Sequence, residues 1–197
     1  MQRAVLLTGI GGQGVQLAAE MLARAAVSEG RDVQLFGGYG GMMRGGNTDA
    51  TVVIADGRVE APPTVQSAWA AVIMHPQYAA PTIGKIADGG VALVNSTVWH
   101  GRIEGDHLEV VTVAAGDLAV DLGNVLAASM VMIGALSTVT RLVRLPSLVE
   151  AAQVSVPQYR RQHIELNERA LRLGARRVSP LVDAWSTQSA TTTAPSG

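Results

Sequence analysis

A glycine-rich turn near the amino terminus restricts what this chain can fold into more than any other feature. The segment Gly9-Ile10-Gly11-Gly12-Gln13-Gly14 follows the short apolar run Ala4–Leu7. After it, apolar residues recur at helical spacing from Val15 to Ser28. A G-x-G-x-x-G turn between a strand and a helix lets backbone N–H groups and the helix dipole hold a phosphate. We therefore predict a phosphate or pyrophosphate cradle, and a tight turn without a ligand is the alternative.

The three glycines of this motif have separate predicted tasks. Gly9 permits the tight turn, Gly11 lets a phosphate approach the backbone, and Gly14 lets the helix and the strand pack closely. A complete NAD site also needs an Asp or Glu at the end of the second strand, about 20 residues further on. The second predicted strand, Asp32–Phe36, begins with an acid instead of ending in one. NAD binding to this chain is therefore disfavoured.

A second glycine-rich segment follows the second predicted strand. It runs from Gly40 to Thr48 and carries Arg44 next to the pair Gly45-Gly46. The ligand side of an open α/β sheet lies at the carboxyl ends of its strands, so this loop should share that side with the first turn. The guanidinium of Arg44 suits a phosphate or a carboxylate. A flexible loop that packs on a neighbouring subunit is the alternative, and both descriptions can hold together.

Strands alternate with helices along the rest of the chain, which favours a single domain over residues 1–185. The expected fold class is α/β and Rossmann-like: an open, mainly parallel sheet flanked by helices, with a helical carboxyl-terminal part. Strands are predicted at Ala4–Leu7, Asp32–Phe36, Asp49–Ala55, Ala70–Met74, Val91–Val94 and Glu109–Val113. Helices are predicted at Val15–Ser28, from His75-Pro76 to about Ala87, and at Asn124–Leu142, Ser147–Val154 and Pro157–Leu173.

Local signals indicate where these elements end. Asp56-Gly57 predicts a turn into a short partner strand, and Asp88-Gly89-Gly90 predicts a turn before the next strand. The expected helix caps are Asp121 and Asn124, a capping box of Ser147 with Glu150, and Gly174 at the end of the last helix. The tail over residues 186–197 has no charge and no large apolar side chain, so it cannot fold alone, and we expect a partner surface to hold it.

Composition excludes several classes of function. The chain has no Cys, so it cannot supply thiolates for a disulfide, a zinc site or an iron–sulfur cluster. Its formal net charge of −1 argues against a strongly basic nucleic-acid binder. The longest apolar stretch, Val125–Val139, is shorter than a bilayer span and is interrupted by polar residues. We expect a cytoplasmic protein without membrane insertion.

Two polar residues follow a predicted buried strand on the presumed ligand side. Asn95 and Ser96 come directly after Val91–Val94. They either contact a ligand or cap the strand end, and the sequence leaves both possibilities open. No histidine has metal-ligand spacing, and no catalytic constellation or metal site is predicted in this chain alone.

The combination of motifs resembles the gamma subunit, or gamma domain, of the 2-oxoacid:ferredoxin oxidoreductases. The resemblance covers about residues 3–175 and includes the strand end at Asn95-Ser96, the Asn124-initiated helix and the Asn167-x-x-Ala170-x-x-x-Gly174 pattern. It begins with the GIGGQG turn at Gly9–Gly14 and the YGGMMRGG segment at Tyr39–Gly46. Pyruvate, 2-oxoglutarate, branched-chain, indolepyruvate and aryl-glyoxylate enzymes all remain open as the substrate branch.

This resemblance implies a subunit that is not catalytic alone. The family oxidatively decarboxylates a 2-oxoacid to an acyl-CoA, and thiamine diphosphate, magnesium and iron–sulfur clusters would lie on partner subunits. Those partners would be alpha, beta and ferredoxin-like (delta) subunits, with ferredoxin or an NAD-linked module as the electron acceptor. The gamma domain is associated with coenzyme A binding. A structural assembly subunit with an empty glycine loop is the alternative function.

The resemblance also implies a set of residues that contact coenzyme A. We expect backbone contacts from the glycine turn and side-chain contacts from the second loop, with further positions flanking them. The expected contact residues are Gly9, Gly11, Gly12, Gln13, Gly14, Arg44, Gly45, Gly46, Asn47, Asn95 and Ser96.

Overall fold

A six-stranded mixed sheet forms the centre of the computed structural model, which describes residues 1–39, 45–60, 65–101, 103, 107–155 and 162–186. The strands are β1 (Gln2–Ile10), β2 (Asp32–Tyr39), β3 (Asn47–Ala55), β4 (Ala68–Ile73), β5 (Ile86–Asn95) and β6 (Glu109–Val113). The helices are α1 (Val15–Ser28), α2 (Ala80–Ile83), α3 (Ala115–Asp121), α4 (Ala128–Thr140), α5 (Leu145–Ser155) and α6 (Gln162–Arg176). Two short 3₁₀ turns cover Pro76–Tyr78 and Val125–Ala127.

The strand order is β2-β3-β1-β4-β5-β6. Strands β1, β4, β5 and β6 are parallel neighbours, whereas β3 runs antiparallel to both β1 and β2. The α/β, Rossmann-like and mainly parallel sheet predicted from the sequence is therefore confirmed. The position of the antiparallel strand between β1 and β2 is a feature that the sequence pattern did not reveal.

Helices cover both faces of the sheet. Val5 and Leu7 of β1 face the side that carries α1 and the carboxyl-terminal helices, where the main core lies. Leu6 faces the other side and packs in a smaller core with Ile83 of α2. Burial on both faces explains why β1 is a continuous apolar run instead of an alternating one.

The predicted hairpin at Asp56-Gly57 is wrong. Strand β3 already has β1 on one side and β2 on the other, so neither edge is free for a third partner. The backbone after the bend at Asp56-Gly57 is not part of a strand at residues 58–60. It is held instead by Val59, which is buried and whose N–H donates to the carboxylate of Asp32 over 2.9 Å.

The helix predicted from Pro76 to about Ala87 is also wrong in length. A 3₁₀ turn and the four-residue α2 occupy this region, and β5 begins at Ile86. Ile86 pairs with Ala68, so β5 includes the predicted turn at Asp88-Gly89-Gly90 as an irregularity in its register. The pairing of β5 with β4 joins residues far apart in sequence, and it outweighs the local helix pattern.

In the carboxyl-terminal half, three of the predicted helix caps are wrong: Asp121, the Ser147 capping box and Gly174. Asn124 is a cap as predicted, but of the 3₁₀ turn Val125–Ala127: its Oδ1 accepts the N–H of Leu126 over 3.0 Å, and α4 itself begins only at Ala128. Asp121 is instead the last residue of α3, a helix that the sequence pattern did not reveal. Helix α5 begins two residues before Ser147, so the proposed capping box is wrong. Pro146 explains the earlier start, because the first turn of a helix tolerates a proline.

The last helix continues past Gly174 to Arg176, so the predicted C-cap is wrong. Residues 157–161 of the predicted helix, and the tail after residue 186, lie outside the described residues. Gly174 instead faces α4: a Cβ there would collide with the backbone carbonyl of Val131. In the same way, a Cβ at Gly134 of α4 would collide with the backbone carbonyl of Leu171 in α6. The two glycines let α4 and α6 cross with their backbones in contact.

The segment after α6 returns to the amino ends of the parallel strands. Its Ala184 carbonyl accepts a hydrogen bond from Arg3 Nε over 2.8 Å, and the Arg3 guanidinium lies 4.7 Å from the ring centroid of Trp69. Burial lowers the pKa of Arg3 below its usual value. Within the described part of the chain, no helix is long and apolar enough to cross a membrane.

We predict that Gly134→Ala and Gly174→Ala each lower the free energy of unfolding by about 1–3 kcal/mol, because the added methyl group meets a carbonyl that cannot move without displacing a helix. Urea unfolding followed by circular dichroism measures the change. Gly57→Ala is the matched control, since no atom lies within 4 Å of a Cβ at that position. Equal stability of the helix variants and the control would contradict the proposed crossing.

Candidate functional site

Several chain segments meet at the carboxyl edge of the parallel strands. They are the glycine turn after β1, the start of β3, the ends of β4 and β5, and the start of α4. Strand β3 reaches this edge with its first residues because it runs antiparallel. It therefore brings the second glycine-rich segment next to the first one.

Gln13 holds the glycine turn closed. Its backbone N–H donates to the Ile10 carbonyl over 3.0 Å, and its side-chain Oε1 accepts the Ile10 N–H over 2.8 Å. Helix α1 then begins at Val15, with Gly14 as its N-cap residue. The amide nitrogen of the Gln13 side chain has no acceptor among the residues that the structure describes.

The glycines of the turn have tasks that differ in part from the predicted ones. A Cβ at Gly9 would lie 2.9 Å from Val15 Cγ2 and 3.0 Å from Met74 Cβ, so Gly9 permits close packing. The left-handed turn conformations belong instead to Gly12 and Gly14, with φ of 104° and 78°. Gly14 is close to α4, where a Cβ would lie 2.6 Å from Ser129 Oγ, and not to a strand.

Only part of the turn is free to bind an anion through its backbone. The N–H of Gly11 donates to the Gly46 carbonyl over 2.8 Å, and the N–H of Gln13 is used by Ile10. No described residue accepts from the N–H groups of Gly12 and Gly14. Together with the first turn of α1, these two residues form the open end of the helix dipole.

The two glycine-rich segments are in direct contact. Besides the Gly11–Gly46 hydrogen bond, the Tyr78 hydroxyl donates to the Gly45 carbonyl over 3.5 Å. Arg44 and residues 40–43 lie outside the described residues, so the predicted contact of Arg44 stays a prediction. The base of the second loop is thus fixed against both the turn after β1 and the segment after β4.

A polar cluster surrounds the predicted contact residue Asn47 at the start of β3, and its other members, Thr8, Gln16 and Asp49, were not singled out from the sequence. Thr8 Oγ1 donates to Asp49 Oδ1 and Asn47 Nδ2 donates to Asp49 Oδ2, each over 2.6 Å. The side-chain amide of Gln16 in α1 donates to the Asp49 carbonyl over 2.7 Å. The alternation of Asn47 and Asp49 at the start of a strand could have indicated a shared face, but not the partner on β1.

Two buried side-chain oxygens in the described structure lack any hydrogen-bond partner, and both adjoin the glycine segments. They are Asn47 Oδ1, directly after Gly46, and Ser129 Oγ, next to Gly14. Buried polar groups are nearly always paired in native proteins, and leaving one unpaired costs about 1–3 kcal/mol. Their coincidence at one edge of the sheet makes this edge the candidate site for a polar ligand.

The side chain of Asn95 makes its hydrogen bonds to backbone groups within the fold. Its side chain is buried, its Nδ2 donates to the Met74 carbonyl, and its Oδ1 accepts the N–H groups of Thr97 and Gly116, each over 3.3 Å. It thereby joins the ends of β4 and β5 to the start of α3. Ser96 is half-buried, and its N–H donates to the Val113 carbonyl over 2.9 Å. A ligand contact of either residue stays a prediction.

The topology gives a second reason against an NAD site. In a dinucleotide-binding fold the acid at the end of the second strand stands next to the glycine turn. Here β3 separates β2 from β1, so the end of β2 is one strand further away from the glycine turn.

Two grooves lie away from the carboxyl edge of the parallel strands. One, of about 500 Å³, lies between α1, α5 and β2, and the other, of about 520 Å³, lies at the amino ends of β1 and β4. The candidate site is therefore the open carboxyl edge.

Residues 4–177 match the model of the pyruvate ferredoxin/flavodoxin oxidoreductase family. The chain belongs to this family. The match includes the sheet from Ala4 onward, both glycine-rich segments and the crossing of α4 with α6. The resemblance identified from the sequence motifs is confirmed.

Relatives within the family occur both as separate subunits and as parts of longer chains. The ketoisovalerate oxidoreductase subunit VorA of Methanothermobacter thermautotrophicus is 35% identical over 130 residues, which is 66% of this chain and 27% of VorA. The chain thus spans about a quarter of that relative. The keto/oxoacid ferredoxin oxidoreductase gamma subunit from Geobacter sulfurreducens has the same fold, with a TM-score of 0.76 and 25% identity over 88% of this chain and 96% of that subunit.

A third family structure is the 2-oxoglutarate:ferredoxin oxidoreductase from Magnetococcus marinus with 2-oxoglutarate, coenzyme A and succinyl-CoA bound. Its TM-score is 0.81, with 16% identity over 93% of this chain and 33% of that one. At this identity the likeness shows the shared fold. The Geobacter gamma subunit and the family match mark this chain as a gamma-type member of the family.

We predict that Asn95→Ala lowers the free energy of unfolding by about 1–3 kcal/mol, because three backbone groups lose their partner. Ser96→Ala is the control, since the Ser96 side chain makes no hydrogen bond to a described residue. Urea unfolding of both variants measures the difference. An Asn95 variant of unchanged stability that fails to bind a ligand would instead identify Asn95 as a direct contact.

Proposed function

We propose that this chain is the gamma subunit of a multi-subunit 2-oxoacid:acceptor oxidoreductase and contributes part of its coenzyme A site. Such an enzyme converts a 2-oxoacid, coenzyme A and an oxidised acceptor into an acyl-CoA, CO₂ and the reduced acceptor. The observation that carries the proposal is the open end of α1, where the N–H groups of Gly12 and Gly14 lack acceptors among the described residues. Beside it lie two buried oxygens that also lack hydrogen-bond partners among those residues.

Coenzyme A suits this edge because it carries both phosphates and neutral polar groups. The free N–H groups of Gly12 and Gly14 would donate to phosphate oxygens, as at other helix amino termini. The described segments around the turn, residues 9–17, 45–49, 74–78 and 124–130, contain no Lys or Arg. Arg44 in the second loop is the nearest cationic residue in sequence, so we assign it the side-chain contact with phosphate.

The redox cofactors are assigned to partner subunits. Without Cys, this chain offers no thiolate for an iron–sulfur cluster. Thiamine diphosphate with magnesium would supply the decarboxylation chemistry on alpha and beta subunits, and a ferredoxin-like delta subunit would hold clusters. Electrons would leave to ferredoxin or to an NAD-linked module. In this arrangement the residues of this chain bind and orient coenzyme A and form a subunit interface.

An assembly subunit with an empty glycine turn is the alternative. One observation favours it: the N–H groups of Gly11 and Gln13, which the motif would offer to a ligand, are already used inside the fold. The two functions differ in their response to charge at the turn. A binding site for phosphate is sensitive to an added negative charge there, whereas an empty turn is not.

We predict that Gln13→Glu weakens coenzyme A binding at least tenfold and leaves the folded chain intact. A glutamate keeps the oxygen that accepts the Ile10 N–H, but it replaces the free amide nitrogen with a negative charge where phosphate would bind. Isothermal titration calorimetry on the full chain, and the KM for coenzyme A in the assembled enzyme, measure the effect. The loss should shrink at high salt, because salt screens exposed charges.

Gln2→Glu is the matched control for this experiment. The Oε1 of Gln2 also accepts a backbone N–H, that of Glu60 over 3.2 Å, but at the opposite end of β1. The control adds the same charge far from the turn and should keep wild-type affinity. Equal affinity of both variants and the wild type would favour the assembly subunit.

Arg44→Ala is predicted to raise the KM for coenzyme A of the assembled enzyme and to leave subunit assembly unchanged. The reason is the loss of a cation beside the phosphates, which the helix dipole alone replaces only in part. Steady-state kinetics with varied coenzyme A, and size-exclusion chromatography of the complex, measure the two effects. An unchanged KM would remove Arg44 from the site.

A further inference from the structure

We propose that Asp49 is a positioning residue that fixes Asn47 as a hydrogen-bond acceptor for a donor group of the ligand. The donor is a hydroxyl or an amide N–H, and not a phosphate or carboxylate oxygen. This inference rests on the proposed coenzyme A site and assigns a chemical preference to one half of it.

Asp49 is anchored from two sides. Thr8 lies in the middle of the sheet with no exposed surface, and its hydroxyl donates to Asp49 Oδ1 over 2.6 Å. Gln16 in the first turn of α1 holds the Asp49 carbonyl over 2.7 Å. The carboxylate thus has a fixed direction relative to both β1 and the glycine turn.

The anchored carboxylate decides which way the Asn47 amide faces. A carboxylate only accepts hydrogen bonds, so the amide must turn its NH₂ group toward Asp49 Oδ2, where the distance is 2.6 Å. The carbonyl oxygen Oδ1 must then face the other way. That oxygen is buried and has no donor in the described structure.

An unpaired buried acceptor selects its ligand by chemistry. A ligand N–H or O–H removes the penalty of the unpaired oxygen, whereas an anionic oxygen would be repelled by it and by the nearby carboxylate. A site that leaves a buried polar group unpaired discriminates strongly against analogues without the matching group. Because Oδ1 is shielded from solvent here, we expect the donor to reach it with a small local rearrangement, as is common on binding.

The first variant of the test changes Asp49 alone. The Thr8 hydroxyl has no other acceptor in the described structure, so the amide oxygen introduced by Asp49→Asn should face Thr8 and the NH₂ group should face Asn47. The Asn47 amide should then flip and present a donor where the acceptor stood. We expect at least tenfold weaker coenzyme A binding by calorimetry, a higher KM in the assembled enzyme and little change in kcat. The side-chain amide resonance of Asn47 in nuclear magnetic resonance spectra should shift.

The double variant N47D/D49N should restore binding to within a few-fold. In it, the introduced amide at position 49 accepts from Thr8 and donates to the introduced carboxylate at position 47, whose second oxygen is again a free acceptor at the same place. A merely structural role of Asp49 predicts no such rescue. Asp88→Asn, which removes a carboxylate whose side chain is 94% exposed, controls for the loss of charge and should bind as the wild type does.

The outcomes separate this inference from the proposed function. If the wild-type chain binds coenzyme A and D49N binds equally well, or if the double variant stays as weak as D49N, the inference is overturned and the coenzyme A site stands. If the wild-type chain binds coenzyme A neither alone nor in the assembled enzyme, the proposed function is overturned. The assignment of a coenzyme A donor group to Asn47 is then overturned as well.

Discussion

The candidate site depends on the antiparallel pairing of β3 with β1. This pairing places Asn47 opposite Ile10 and Asp49 opposite Thr8, at the edge where the glycine turn begins. A parallel strand in the same position would end there, and its first residues would lie at the far edge of the sheet. The single reversal therefore brings the second glycine segment, the polar cluster and the turn after β1 together.

The same reversal separates this fold from a dinucleotide-binding one. The strand beside the glycine turn contributes its first residues and not its last, so the usual place of a ribose-binding acid is taken by Asn47 and its neighbours. Asp49 does supply a carboxylate on that strand, but both of its oxygens are bonded to side chains of the fold. The pairing of β3 with β1 thus directs this carboxylate toward Thr8 and Asn47.

Local features of the site could be predicted from the sequence, and long-range ones could not. The turn at Gly9–Gly14 and the bounds of α1 follow from neighbouring residues, and the structure has the helix at Val15–Ser28 as predicted. The Thr8–Asp49 hydrogen bond joins residues 41 positions apart, and it depends on a strand order that no local pattern specifies. Gly174 illustrates the same limit: near a helix end it suggests a cap, yet its place is set by Val131 on another helix.

The two halves of the proposed site would contribute unequal amounts to the free energy of ligand binding. A charge at a helix amino terminus gains about 0.3–1 kcal/mol when it is exposed, and any phosphate gains it alike. A buried acceptor that is paired only in the complex is worth about 1–3 kcal/mol, and only a ligand with a correctly placed donor gains it. In the proposed site, the open end of α1 would favour anions in general, whereas Asn47 would distinguish among them. The proposed coenzyme A ligand suits this division, because many metabolites carry phosphates but few place a neutral donor group at the same distance from them.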